Sequence, residues 1–176
     1  MALKVAIVGL ASTGRDTVPW GSDWEVWGLA WDAEWRYQFH RAFEVHDMAD
    51  LRKFYQGGLD GYLAKIAHCA RLYVDDAPCG ERYPFDAVAA DVGDYWNSSI
   101  GYMLALAIHD GAEEIALLGV RMEAGDEHAY QRPNTEYLIG LARGRGIKVR
   151  IPDDSPLCKF TQVPGSQYAW RYGRSE

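Results

Sequence analysis

The stretch Asn97–Met122, NSSIGYMLALAIHDGAEEIALLGVRM, constrains the fold more than any other part of the chain. Small hydroxyl residues open a helix, Gly111 closes it, and Ile115 to Gly119 follows as a short, wholly apolar run. A run of that length without polar alternation reads as a strand buried on both faces. A helix feeding such a strand is the repeating unit of an open parallel sheet, whose ligands sit beyond the carboxyl ends of the strands.

The same grammar extends along the chain. Strands are predicted over Leu3–Val8, Glu25–Ala30, Arg41–His46, Arg71–Val74, Ile115–Gly119 and Ile147–Ile151. Helices are predicted from Asp47 to about Tyr55, Leu59 to about Cys69, near Asp86–Ala90, Ser98–Asp110 and Asn134–Arg145, with Asp47 as an N-cap. Alternation of this kind specifies an α/β class: a Rossmann-like three-layer sandwich, with a mostly parallel sheet of five or six strands and Leu3–Val8 near its centre. A chain of 176 residues suits one domain, 1–176, with an irregular tail from about 152.

Composition narrows the function. A net charge of −7 argues against a general nucleic-acid binder, which needs a basic face, but leaves small phosphorylated ligands open. Cys69, Cys79 and Cys158 form no CxxC pair, which reads as three reduced thiols. The start MALKVAIVG lacks the apolar core of a signal peptide, and no segment reaches the ~18–20 apolar residues needed to span a bilayer. A cytoplasmic protein with no membrane partner is the expectation. Trp20, Trp24, Trp27, Trp31 and Trp35 crowd one region, read as core or interface mass, with a stacking platform for a ring as the sharper alternative. Such a surface makes a homo-oligomer reasonable.

Candidate site residues follow from the strand-end rule. After the first strand, Gly9, Ser12, Thr13 and Arg15 form a small, hydroxyl-rich loop suited to phosphate. It is neither GxGxxG nor a P-loop, so no NAD or ATP motif of those kinds is present. Asn97, Ser98 and Ser99 make a second donor cluster at a helix start. Glu44 and His46 share a face at the end of the third strand, an acid and an imidazole fit for proton transfer or for holding a metal. Asp75 and Asp76 end the fourth strand and suit Mg²⁺ carried on substrate phosphates. His128, Arg132 and Asn134 lie in a dense polar segment after the fifth strand: His128 to move a proton, Arg132 and Asn134 to hold an anion.

The blocks VAIVGLASTGRD, EVWGLA and SSIGYMLALAIHDGAEEIALLGVRM resemble the 6-hydroxymethylpterin diphosphokinase MptE-like family, over about half the chain. More distantly they resemble the bacterial CMP-sialic-acid sialyltransferases that share its Rossmann-like core. Gly9 and Ser12-Thr13 match the family's first loop, Asn97–Ser99 its second turn, and Gly111–Ile115 the approach to the following strand. The resemblance implies diphosphate transfer to a pterin-like alcohol, with glycosyl transfer from a nucleotide-sugar as the alternative. Binding of a nucleotide without chemistry is the third reading. Short versions of this architecture imply a bacteriophage source.

Overall fold

The computed structural model describes residues 2–123 and 126–159, with backbone alone for 126–129. Seven strands form a single sheet: β1 (Lys4–Val8), β2 (Glu25–Leu29), β3 (Arg41–Glu44), β4 (Leu72–Val74), β5 (Glu81–Arg82), β6 (Glu114–Leu118) and β7 (Lys148–Arg150). Their order is β5-β4-β3-β2-β1-β6-β7, and every neighbouring pair is parallel. The expected α/β Rossmann-like architecture is therefore present, with one strand more than the five or six expected. The extra strand, β5, is two residues long and exposed, too short to leave a pattern among Pro78, Gly80 and Pro84.

Alternation along each strand sorts side chains to two faces. Val5 and Ile7 of β1, Trp27 and Leu29 of β2, and Ile115 and Leu117 of β6 face one side. They pack against α3 (Phe85–Val92), α4 (Ser99–His109) and α5 (Asp126–Gly144). Helix α4 is the centre of this layer: all its residues from Ile100 to Ile108 except Tyr102 are buried, as expected of a helix apolar on every side. On the opposite face α1 (Met48–Phe54) and α2 (Leu59–Ile66) cover β3 and β4 through Leu51, Tyr62 and Ile66.

Among the described residues, the rest of that face, over β1, β2 and β6, carries no α-helix. Ala6, Val8, Val26, Ala116 and Leu118 are covered instead by Val18, Phe39 and the rings of Trp20, Trp24 and Trp35. Between β1 and β2 the only helical turn is the three-residue 3-10 turn Arg15–Thr17. Most of the crowded tryptophans are thus spent as a lid on the sheet, the reading of them as core mass.

Helix α5 departs from the sequence expectation. It begins at Asp126 rather than Asn134 and carries Pro133 in its interior. Proline ordinarily marks a helix start because it donates no backbone hydrogen bond. Here burial of Asn134, Thr135, Leu138, Ile139 and Ala142 along one side holds the helix through it.

Candidate functional site

Strand order reverses between β1 and β6: the chain leaves β1 toward β2 on one side, and β6 and β7 lie on the other. Such a reversal opens a crevice at the carboxyl ends of the strands. A cavity of about 870 Å³ occupies that place.

Its floor is backbone. Gly9 N–H donates to Leu118 O at 2.8 Å, Ala11 N–H to Gly119 O at 2.9 Å, and Gly119 N–H to Thr13 O at 2.6 Å. The first loop thus spends its Gly9 and Ala11 amides on β6 and its following turn rather than offering them to a phosphate. Arg15 is committed as well. Its guanidinium donates to Gly9 O at 2.7 Å and to Asp32 at 2.6 Å, and lies 3.9 Å from the Trp35 ring centroid. Of the first-loop candidates, Gly9 lines the cavity; Ser12, Thr13 and Arg15 are absent from its lining.

The amino end of α4 forms one wall. Asn97, Ser98 and Ser99 all line the cavity. Ser98 caps the helix by accepting from Gly101 N–H at 3.0 Å, and is itself buried. The other first-turn amides, of Ser99 and Ile100, belong to residues of the same wall, and helix amides there point out of the amino end. Gly101 is fixed by closeness: a Cβ on it would meet the Trp96 Cβ at 2.9 Å.

Aromatic rings form the rest of the walls: Trp31, Phe85, Trp96 and Tyr102. Phe85 and Trp96 lie 5.5 Å apart between ring centroids. Trp31 is the one member of the early tryptophan cluster that reaches the cavity. Its ring centroid is 5.1 Å from that of His46.

At the end of β3, Glu44 is 1% exposed and both oxygens of its carboxylate have partners. His46 Nδ1 lies 2.6 Å from Glu44 Oε1, the His46 backbone N–H donates to that same oxygen at 3.2 Å, and the Tyr62 hydroxyl donates to Oε2. Burial first, and the Glu44 charge second, push the Tyr62 phenol far above its ordinary range. Tyr62 therefore remains a protonated donor. His46 lines the cavity and Glu44 stands behind it.

Charges at the rim are mixed. Asp47, Asp50, Asp75 and Glu123 line the cavity with one guanidinium, Arg121. Arg121 approaches Thr13 Oγ1 at 3.4 Å and pairs with Glu123, whose carboxyl its hydrogen bond holds below the ordinary glutamate range. Among the described residues the buried Arg121 Nε has no hydrogen-bond partner. Asp47 caps α1 by accepting from Asp50 N–H at 2.7 Å.

The remaining candidates lie elsewhere. Asp75 lines this cavity and a second, smaller one beside it, whereas Asp76 lines only the second and lies 3.7 Å from Arg82. Among the described residues no three His, Cys, Asp or Glu side chains are grouped to hold a metal ion. Arg132 is turned to the chain's later segment, donating to Pro156 O at 2.6 Å, to Lys159 O at 3.3 Å and to Glu136 at 2.8 Å. Asn134 is buried within α5. The His128 side chain lies outside the described residues. Sequence reasoning did not place Arg121, Trp96 or Tyr62 among the candidate site residues. The first two had a usable signal: Arg121 stands just past a strand end and Trp96 just before a helix cap.

No family model matches the chain, and no curated protein matches it by sequence. Among the described residues no helix is long and apolar enough to cross a membrane. Solved structures are similar in fold. The sialyltransferase CstII from Campylobacter jejuni in complex with cytidine-5'-monophosphate aligns at TM-score 0.56 and 15% identity, over 88% of this chain and 80% of that one. The same enzyme with CMP-3FNeuAc aligns at 0.58 and 16%, over 91% and 84%. Its complex with a trisaccharide acceptor and CMP aligns at 0.55 and 14%, over 91% and 89%. At these identities the likeness is one of fold: the chain shares a Rossmann-like core with these structures.

Proposed function

We propose that the chain binds a nucleotide in the crevice between β1 and β6 and acts as a transferase, with a nucleotide-sugar as the donor class. One observation carries the reading. The cavity at the point of strand reversal joins the amino end of α4, lined by Asn97, Ser98 and Ser99, to walls of aromatic rings. A helix amino end favours phosphate, and rings favour a base or sugar face. The fold likeness to a CMP-binding sialyltransferase supports the same reading over the pterin diphosphokinase type, for which the cavity offers nothing specific.

In this mechanism the phosphate rests at Ser98–Ile100 with Arg121 beside it. His46, oriented by Glu44, takes the proton of an acceptor hydroxyl. The acceptor oxygen forms a bond to the anomeric carbon while the bond from that carbon to the phosphate oxygen breaks. The electron pair leaves on the nucleotide phosphate, where the helix end stabilises it. A Mg²⁺ ion would be held by Asp75 and by substrate phosphates, since that ion accepts few protein ligands.

Thermal melting with CMP, CMP-sugars, other nucleotides and pterins, with and without Mg²⁺, tests binding. Chromatographic detection of released nucleotide tests transfer. Stabilisation by a nucleotide, with its release from a nucleotide-sugar, is expected. Absence of any nucleotide-dependent shift overturns the reading, and a shift without release over hours reduces it to binding alone.

A further inference from the structure

We propose that Tyr62 is a positioning residue for proton transfer at His46, acting through Glu44. This rests on the reading of His46 as the proton-transferring group of the cavity. The supporting geometry spans three elements. Glu44 ends β3, His46 follows it at the cavity wall, and Tyr62 reaches the same carboxylate from α2 on the far side. One carboxylate oxygen takes the Tyr62 hydroxyl while the other faces His46 Nδ1 and the His46 backbone amide.

A buried carboxylate needs such partners, because leaving one oxygen bare in an apolar setting costs free energy. Tyr62 supplies a bond that cannot reverse its direction: its proton stays on over the whole working range, and a carboxylate can only accept. The second oxygen is then fixed toward the imidazole. This keeps the proton on Nδ1 and assigns exchange with substrate to Nε2. Tyr62 is itself held face to face with Tyr55, ring centroids 3.9 Å apart and planes within 10°. The stack holds the Tyr62 ring in place, and the two tyrosine side chains also hydrogen-bond each other. Asp50 of α1 also couples electrostatically to His46.

Tyr62→Phe removes the hydroxyl and keeps the stack. The expected result is a kcat roughly 10-fold lower, the scale on which outer partners of functional histidines act. KM and the affinity for CMP should change by less than about twofold, because Tyr62 does not line the cavity. The readout that a merely structural role would not move is the ¹⁵N signature of the His46 ring: Nδ1–H in the parent, a mixture of tautomers in the variant. An unchanged tautomer in folded Tyr62→Phe overturns the proposal. So does an Nε2–H tautomer in the unaltered protein, a measurement that needs no variant to fold. Both ring-nitrogen measurements are made without ligand, so a protein that binds no nucleotide refutes the proposed function and leaves this test standing.

Discussion

A Cβ placed on Gly9 would sit 2.4 Å from the carbonyl oxygen of Gly119, and one placed on Gly119 would sit 2.5 Å from that of Gly9. The two backbones meet at the point where the crevice opens, and Gly119 also adopts φ +68°. Gly119→Ala meets both the strained dihedral and a backbone carbonyl that cannot rotate away. It should lower stability by about 2–4 kcal/mol in urea titration. A loss under ~1 kcal/mol would mean that the loops separate easily.

Glu44→Ala and Glu44→Gln should part company. Alanine leaves the Tyr62 hydroxyl and the His46 ring facing a void, a loss of roughly 2–4 kcal/mol in denaturation. Glutamine fills the space and keeps most of that stability. It should still lower turnover by 10-fold or more, through loss of the carboxylate that orients and stabilises the imidazole. Unchanged turnover in Glu44→Gln would argue against a charge-specific role.

Arg121 and Arg132 are predicted to exchange the importance that sequence density suggests. Arg121→Ala should weaken CMP binding several-fold with little change in melting temperature, since Arg121 lines the cavity and its pairing with Glu123 is exposed. Arg132→Ala should leave CMP affinity nearly unchanged. It should make the segment around Pro156–Lys159 more open to proteolysis, because it removes the bonds that hold those carbonyls. Calorimetry and limited proteolysis check the pair.

Glu114 gives a pH signature remote from the crevice. Burial pushes its carboxyl up, but hydrogen bonds from Arg150 and Lys148 outweigh this and hold it below the ordinary value of 4.5. Its contribution is complete above pH 4.5 and is lost as pH falls through the lowered folded value. Glu114→Gln should therefore cost about 1 kcal/mol at pH 7, and the two proteins should converge in stability as pH falls from 4.5 through the lowered folded value. A gap that stays constant from pH 7 to pH 3 refutes this assignment.

The sheet was legible because buried parallel strands carry an unmistakable apolar pattern: β1, β2 and β6 were each read within about a residue of their ends. The cap residues Asp47 and Ser98 were also readable, as local chemistry requires only neighbours in sequence. Arg15 was not, because its partners Gly9 and Asp32 are settled by how one loop folds over another. Tyr62 left no trace, being a helix tyrosine whose role depends on a carboxylate 18 positions earlier. Pro133 misled for the opposite reason. Its local meaning is strong, and packing of the following turns prevailed over it.

The Arg15 guanidinium joins the indole layer over β1, β2 and β6 to the crevice. Arg15 rests against Trp35 while gripping the carbonyl of Gly9. Disturbance on the tryptophan side has a direct mechanical route to the place where ligand would rest, bypassing the rim altogether. The thin side of this sandwich is thus where distant substitutions would retune the crevice without altering any residue that touches its contents.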